Sequence, residues 1–314
     1  MGYVEKAKRV MEEVKKVIVG KDECIEKIMT GILAQGHILI EDIPGVGKTT
    51  FALAFAKAMN LKQNRVQFTP DVLPTDITGF TVYNKGSETF TYQPGAAMCN
   101  LLLADEINRT SPKTQSALLE VMEEGNVTVD GVTREVPTPF IVIATENPIG
   151  STGTQMLPES QLDRFIICLS MGYPDMKDEI NIIKDRRENN PLDHVIPAIR
   201  AEELLAMQKE VSSIYVHDEV YKYIVGLVSA TRKNEMLDLG ISPRGTLALS
   251  KMAQARAYLQ KREYVIPEDV VTVFPDVAVH RVRRSAKAKL NHKSEFDILT
   301  QILKETAKPS PEKG

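Results

Sequence analysis

Hydrophobic residues are distributed differently in the two parts of this 314-residue chain. Up to about residue 174, continuous apolar runs of four or five residues alternate with segments in which apolar residues recur at helical spacing. Short apolar runs predict buried strands, and the spaced segments predict helices. After Tyr173-Pro174 the runs stop and helical spacing dominates. The pattern predicts an α/β domain over residues 1–174, a helical domain over residues 175–306 and a disordered tail over residues 307–314.

Two segments alternate around turn residues and predict β-hairpins instead. Residues 80–83 and 89–92 flank Asn84-Lys85-Gly86-Ser87, inside a turn-rich insertion that covers residues 69–97. Residues 127–136 alternate around Asp130-Gly131, a dipeptide that favours a tight hairpin turn. The sequence alone leaves open whether the first hairpin is functional or only a surface decoration.

The stretch HILIEDIPGVGKT, residues 37–49, joins a predicted strand to a glycine loop and the start of a helix. It matches the phosphate-loop pattern G-x-x-x-x-G-K-[ST], except that Asp42 replaces the first glycine. Aspartate tolerates the left-handed backbone region, so the turn can still form. Gly45 and Gly47 let backbone N–H groups approach a phosphate closely. Lys48 can reach the β- and γ-phosphates and Thr49 can bind Mg²⁺, so we predict a nucleotide site here.

Acidic and amide side chains follow two other predicted strands. Asp105 and Glu106 end the apolar run at residues 101–104, and Asn147 follows the run at residues 140–144. Asp105 would hold the magnesium shell and Glu106 would polarise the attacking water. This acidic pair is a weak signal alone and a strong one in a chain that also carries the phosphate loop. Asn147 could orient water or sense the γ-phosphate, or it could simply cap a loop.

Composition argues against several other classes of function. The formal net charge is −3, only 6% of residues are aromatic and there is no Trp, which argues against nucleic acid as a partner. The histidines show no paired spacing, so a zinc site has no support. The three cysteines are far apart and indicate free thiols in a reducing compartment. No 18-residue apolar run exists and the N-terminus is charged throughout, which predicts a cytoplasmic protein without a membrane span.

Several motifs occur in a fixed order, and with them the chain resembles the MoxR family of AAA+ ATPases over roughly residues 10–290. The motifs are VIVGK (17–21), EDIPGVGKT (41–49), QFTPDVLPTDITG (67–79), YQPGAAMCNLLLADEINR (92–109), LLEVMEEGNVTVDG (118–131), IATENP (143–148), LPESQLDRF (157–165), GYPD (172–175) and SPRG (242–245). The resemblance implies an α/β AAA+ P-loop core with a parallel sheet and a C-terminal all-α lid. It also identifies residues 69–97 with the family's helix-2 insert and residues 127–136 with its pre-sensor hairpin.

The resemblance also implies roles for individual residues. Glu106 would be catalytic, Asn147 would be the sensor that positions water, Arg164 would be an arginine finger for a neighbouring subunit's ATP, and Arg244 would be the second sensor in the lid. The alternative for both arginines is a surface salt bridge. The residues assigned to the nucleotide are Gly20, Asp42, Pro44, Gly45, Val46, Gly47, Lys48, Thr49, Thr50 and Asp105, of which Thr49 and Asp105 would bind the metal.

The function implied is ATP hydrolysis with Mg²⁺ in a homo-oligomeric, hexameric ring that remodels or matures client proteins. Clients with von Willebrand factor A domains, and metal or cofactor insertion, fit this family. A chelatase-like motor subunit and a nucleic-acid motor are the alternatives that remain open. A GTPase is disfavoured because the nearest N-K-x-D string ends in Ser87. Lys21 and Glu146 stand where the family often has glutamine, and Arg109 could also face neighbouring phosphates.

Overall fold

The computed structural model describes residues 2–43, 47–147, 156–185 and 190–309. Its strands are β1 (His37–Glu41), β2 (Gln63–Gln67), β3 (Gly79–Asn84), β4 (Thr89–Pro94), β5 (Leu101–Asp105), β6 (Asn126–Val129), β7 (Val132–Glu135), β8 (Ile141–Glu146), β9 (Phe165–Leu169), β10 (Leu237–Leu239) and β11 (Arg283–Arg284). Its helices are α1 (Val4–Lys15), α2 (Asp22–Leu33), α3 (Lys48–Ala58), α4 (Pro74–Thr78), α5 (Pro112–Glu124), α6 (Glu159–Leu162), α7 (Met176–Asp185), α8 (Ala201–Ser212), α9 (Asp218–Lys233), α10 (Pro243–Leu259), α11 (Pro267–Ala278), α12 (Ala286–Leu290) and α13 (Glu295–Glu305).

Five strands form one parallel sheet in the order β2-β5-β8-β1-β9. Apolar runs form β1, β5, β8 and β9 because both faces of the sheet are covered there, so that every residue of β5 and β9 is buried. The edge strand β2 is polar, and its residues are exposed or half-buried. Alternate residues of a strand belong to different cores: Leu103 belongs to the core that also contains residues of α1, α2 and α3, whereas Leu102 belongs to the core that contains residues of α5. The strand predicted at residues 64–68 is present one residue earlier, as β2.

Both predicted hairpins are present, β3 with β4 and β6 with β7. They contact each other, since the guanidinium of Arg134 in β7 lies 4.0 Å from the ring centroid of Tyr92 in β4. The insertion also contains α4, a five-residue helix that turn-rich composition did not predict. Asp76 stabilises its start by accepting a hydrogen bond from the Leu73 N–H at 2.8 Å. At its end, Gly79 has φ +89°, and a Cβ there would lie 2.4 Å from the Gln93 carbonyl oxygen.

The region after α7 is almost entirely helical, with α10 at its centre, packed against α8, α9 and α11. The same helix packs against α1 and α2, so one apolar core runs from the sheet into the helical region. The short antiparallel pair β10–β11 was not predicted. The α/β class with a parallel sheet and a C-terminal helical region is confirmed, whereas the boundary near residue 174 stays a prediction. Within the described ranges, none of the helices combines the length and apolar character needed to cross a membrane.

Candidate active site

The carboxyl ends of β1, β5 and β8 meet at one edge of the sheet because these three strands are parallel neighbours. We call it the carboxyl edge. Lys48 and Thr49 begin α3 at this edge, directly after β1 and its loop. Gly47, the residue before α3, has φ 91° and ψ 18°, a conformation that glycine adopts without strain. Pro44, Gly45 and Val46, which the sequence assigns to the nucleotide, lie outside the described residues.

Lys48 is buried at the carboxyl edge and its ammonium is held by oxygen atoms of three residues. Nζ donates to the Asp42 carbonyl oxygen at 2.5 Å, to the Glu146 carbonyl oxygen at 3.1 Å and to Asn147 Oδ1 at 3.3 Å. Burial lowers the pKa of Lys48, and nearby carboxylates, Asp42 first among them, partly oppose this shift. Since the three accepting oxygens are uncharged, an anionic phosphate would be a stronger partner for the ammonium.

Asp105 joins the end of β5 to α3 and to two further residues. Its Oδ2 accepts from Thr49 Oγ1 at 3.0 Å and from the Arg65 guanidinium at 2.8 Å, and its Oδ1 accepts from Thr145 Oγ1 at 2.6 Å. A hydroxyl and a carboxylate oxygen this close together are hard donors of the kind that Mg²⁺ prefers. The pair Thr49 and Asp105 therefore fits a magnesium site that is completed by phosphates and water.

Glu106 stands at the tip of β5 in a left-handed conformation, with φ 57° and ψ 50°. Its Oε1 accepts from Asn147 Nδ2 at 2.8 Å, and its Oε2 accepts from Gln67 Nε2 at 2.8 Å and from Arg109 at 2.9 Å. Burial by itself would raise the pKa of Glu106, but the hydrogen bonds from Asn147 and Arg109 outweigh it and the pKa is lowered. Glu106 is therefore ionised at neutral pH, as a residue that polarises water must be.

Two buried polar residues that the sequence analysis missed hold this geometry. Thr145 is fully buried, and its Oγ1 accepts from the Glu106 N–H at 2.9 Å while it donates to Asp105. Asn108 donates to the Asn147 carbonyl oxygen at 2.9 Å and accepts from the Asn147 N–H at 3.4 Å. Both residues are neighbours, in the sequence, of residues that the motifs identify. This proximity was the only feature of the sequence that could have pointed to them.

Glu146 ends β8 beside Glu41, which ends β1 in the same register. Burial, with a contribution from the Glu41 carboxylate, raises the pKa of Glu146 to about 7. Burial raises the pKa of Glu41 as well. Both residues line a cavity of about 250 Å³ together with Asn108 and Asn147. Glu146, whose pKa is raised, directly precedes the asparagine whose amide contacts Glu106.

Asp42 does not take the role expected from its place in the phosphate-loop pattern. It is absent from the described residues with positive φ, so tolerance of the left-handed region is not why aspartate occurs here. Its Oδ2 instead accepts from the N–H groups of Met171 and Gly172, both at 2.6 Å, and its Oδ1 accepts from the Ile43 N–H at 2.9 Å. Asp42 ties the end of β1 to the loop after β9.

The segment before α2 approaches the same region. Gly20 has φ +73°, and a Cβ there would lie 1.7 Å from a carboxylate oxygen of Asp178 in α7, so a larger residue would be strained and would displace the Asp178 side chain. Lys21 Nζ donates to the carbonyl oxygens of Met171 at 2.5 Å and Tyr173 at 2.8 Å. Thr50 lies in the first turn of α3, half-buried. These contacts place Gly20 against the loop that Asp42 holds.

Arg164 and Arg244 lie together, but away from the carboxyl edge. Arg164 directly precedes β9, whose first residue pairs with His37 at the start of β1. A five-residue strand rises about 16 Å, which separates the two edges of the sheet. Both guanidinium groups form ion pairs with Glu123 near the end of α5, and Arg164 also donates to the Leu119 carbonyl oxygen at 2.8 Å. Among the described residues, the structure thus brings the other predicted site residues to the carboxyl edge or its border, but not these two arginines.

A further connection that the sequence did not reveal joins the sheet to the helical region. Asp163, next to Arg164, accepts from buried Arg281 at 2.7 Å and from Ser242 Oγ at 2.7 Å. Ser242 caps α10, where Arg244 lies in the first turn. Arg281 also donates to the carbonyl oxygens of Ile166 at 3.1 Å and Val277 at 2.5 Å. Asp163 therefore fixes Arg164 and Arg244 relative to each other.

Both parts of this chain are similar to known proteins. A family model for the ATPase family associated with various cellular activities (AAA) matches residues 37–167, and a model for the AAA lid domain matches residues 229–302. The chain is 45% identical to the uncharacterized protein YeaC of Bacillus subtilis, over 94% of this chain and 92% of that one. It is 40% identical to Chaperone MoxR1 of Mycobacterium tuberculosis, over 98% of this chain and 83% of that one. A crystal structure of a proposed ATPase from Cytophaga hutchinsonii superposes with a TM-score of 0.90 at 35% identity, covering 98% of this chain and 96% of that chain.

Proposed function

Because the chain belongs to the MoxR family of AAA+ ATPases, we propose that it hydrolyses ATP in a ring of identical subunits and thereby remodels partner proteins. The observation that carries this proposal is one continuous set of contacts at the carboxyl edge. Lys48 contacts Asn147, Asn147 contacts Glu106, and Thr145 links Glu106 to Asp105. A group that binds phosphates, a group that binds metal and a group that activates water are thus connected within one hydrogen-bonded network.

Each residue has a chemical role in this proposal. Lys48 and the N–H groups at the start of α3 bind the phosphates of ATP, helped by the dipole of the helix. Thr49 and Asp105 hold Mg²⁺, which neutralises charge on the phosphates when it is bound. Glu106 accepts a hydrogen bond from the attacking water, and Asn147 keeps the Glu106 carboxylate and that water aligned.

Arg164 and Arg244 would act on the ATP of a neighbouring subunit. They lie at the edge of the sheet opposite Lys48, so neither can approach the phosphates bound by its own chain. A head-to-tail arrangement places the arginines of one subunit against the carboxyl edge of the next and closes into a ring, for which we propose six subunits. The active site is then complete only after assembly.

The clients are proposed to be folded proteins, with von Willebrand factor A domain proteins as the first candidates and metal or cofactor insertion as one outcome of remodelling. The two hairpins are the proposed contact sites. The exposed aromatic residues of the β3–β4 hairpin support this, since Phe90 is 75% exposed and contacts Tyr83 in a tilted arrangement with ring centroids 5.1 Å apart. Exposed aromatic side chains are typical of binding surfaces.

The proposal is tested by the ATPase rate per subunit as a function of protein concentration. We expect the rate to rise with concentration and to reach a plateau when the ring is full. Glu106→Gln should abolish hydrolysis while the variant still binds ATP and assembles, because the amide keeps the size of the side chain but cannot accept a proton. A rate per subunit that stays constant on dilution, or a Glu106→Gln variant with the wild-type rate, would contradict the proposal.

A further inference from the structure

Helix α7 carries an apolar stripe that faces solvent. Met176, Ile180 and Ile183 recur at the helical spacing of four and three residues, and they are 81%, 47% and 68% exposed. Tyr173, 76% exposed, extends the stripe before the helix. Asp178, on the opposite side of the helix, packs against Gly20. A contiguous exposed stripe of this kind marks a surface that another molecule covers.

The stripe borders the carboxyl edge of the sheet. The loop that leads into α7 is fixed by the Asp42 carboxylate, which accepts from the N–H groups of Met171 and Gly172. The carbonyl oxygen of the same Asp42 accepts from Lys48. Asp42 therefore contacts both the lysine that would bind phosphate and the short loop that leads into α7.

The opposite edge of the sheet offers a surface of complementary character, which we call the arginine face. It is a concave region of about 220 Å³ lined by Arg164, Arg244, Lys251 and Leu247, of which Leu247 is 66% exposed. The carboxylates of Glu123 and Asp163 pair with arginines of this region, and Lys251 adds a further cationic group beside the exposed Leu247, so the region keeps a positive balance. Near its amino end the stripe of α7 is flanked by the exposed acids Asp175 and Glu179 and by exposed Lys177, and Lys184 lies at its other end. The stripe therefore matches the concavity in its apolar character, and its small acidic excess at the amino end is opposite in sign to the cationic side chains of the concavity.

We propose that the α7 stripe of one subunit packs against the arginine face of a second copy of this chain. The inference rests on the proposed ring, because bringing the Arg164 of one subunit to the Lys48 of the next sets the arginine face against the carboxyl edge, where the stripe lies. The contact joins two different patches, so it is heterologous and can repeat around a closed ring. Burial of the stripe would then stabilise the assembled state. The same contact would hold the two halves of the active site together.

Assembly of single variants tests this contact. Ile183→Asp places a charge in the stripe, and Leu290→Asp is the matched control, since Leu290 is 81% exposed in α12 and outside both patches. Both are compared in the Glu106→Gln background with ATP, by sedimentation velocity over a range of protein concentrations. We expect Ile183→Asp to need at least tenfold more protein to assemble than the control, with unchanged binding of ATP by the monomer.

The outcomes separate the contact from the ring. If the Glu106→Gln chain assembles, and adding Ile183→Asp leaves assembly unchanged, the α7 contact is wrong and the ring stands. If the Glu106→Gln chain stays monomeric in ATP while the wild type still hydrolyses ATP, the proposed ring is wrong, and the α7 contact is then wrong as well. Circular dichroism of each variant shows whether the fold is retained, and the crosslinking below does not depend on any destabilising charge.

Crosslinking tests which two patches meet. In a Cys24→Ser background, in which the remaining Cys99 and Cys168 are buried, chains with Ile183→Cys are mixed with chains carrying Leu247→Cys and treated with a short bismaleimide. We expect crosslinked dimers in the mixture and none from either variant alone. Dimers from Ile183→Cys alone would indicate a symmetric contact between two α7 stripes, and no dimers from the mixture would place the stripe elsewhere. Either result would overturn the proposal.

Discussion

Asn147 donates a 2.8 Å hydrogen bond to Glu106, which joins the residue after β8 to the residue after β5. The same side chain accepts from Lys48 through its Oδ1. One amide thus contacts both the group that would bind phosphate and the group that would activate water. A change in the position of Lys48 on binding phosphate can therefore be transmitted to the carboxylate of Glu106 through a single residue.

Asn147→Ala removes the amide without changing the backbone that Asn108 holds. A hydrogen bond to a charged group is worth about 1.5–3 kcal/mol, so we expect kcat to fall by roughly tenfold to a hundredfold while ATP binding changes little. Because the amide lowers the pKa of Glu106, its loss should raise that pKa and shift the acid limb of the pH–rate profile to higher pH. Steady-state kinetics over a pH range measures both effects. An unshifted acid limb would show that Asn147 does not act on Glu106.

Thr145→Val keeps the shape of a fully buried side chain and removes its hydroxyl. Asp105 Oδ1 and the Glu106 N–H then each lose a partner, so we expect a loss of about 1–3 kcal/mol in the free energy of unfolding and a higher Mg²⁺ requirement for hydrolysis. Thr145→Ser is the control, because it retains the hydroxyl. If the valine and serine variants show the same Mg²⁺ dependence, Thr145 does not position Asp105.

Glu146→Gln tests the pair of carboxylates at the ends of β1 and β8. The pKa of Glu146 in the folded chain is raised from 4.5 to about 7, so the folded state disfavours the charged form. The wild type therefore loses stability as pH rises from about 4.5 to 7, and Glu146→Gln should lack this loss and melt at a higher temperature than the wild type at pH 8. Thermal unfolding at several pH values measures this. Parallel stability–pH curves for the two proteins would show that Glu146 does not titrate there.

Arg281→Ala should destabilise the chain far more than Arg283→Ala. Arg281 is buried and satisfies Asp163 and several carbonyl oxygens, so its removal leaves a carboxylate without its main partner, at a cost of about 3–5 kcal/mol. Arg283 is about half exposed and pairs with Glu159, so its loss should cost less than about 1 kcal/mol. Denaturant unfolding compares the two variants. Equal costs would contradict a structural role for the buried pair.

The sequence predicted most of the sheet because β1, β5, β8 and β9 are largely buried on both faces and therefore appear as apolar runs, as in residues 101–104. The edge strand β2 was also predicted, although it is mostly polar. The hairpins followed from turn residues, which act locally. Residues of the site that follow a predicted strand, such as Glu106 and Asn147, could also be named.

Contacts that depend on the order of the strands could not be predicted in this way. Arg65 and Gln67 reach Asp105 and Glu106 only because β2 pairs with β5, and single-sequence patterns do not give that pairing. The ion pair of Arg244 with Glu123 joins residues 121 positions apart. The contacts of Asp42 were not predicted either, since its side chain bonds to a loop that is distant in sequence.

The central claim, an active site shared between subunits, is tested most directly by mixing two inactive variants. Glu106→Gln lacks the proposed water-activating carboxylate, and Arg164→Ala lacks the proposed finger. In a random ring of both, roughly a quarter of the interfaces pair an intact Glu106 with an intact Arg164 of the neighbour. We therefore predict that the mixture regains ATPase activity, up to about a quarter of the wild-type rate, whereas each variant alone stays inactive. A mixture as inactive as its components, although sedimentation shows mixed rings, would contradict the claim.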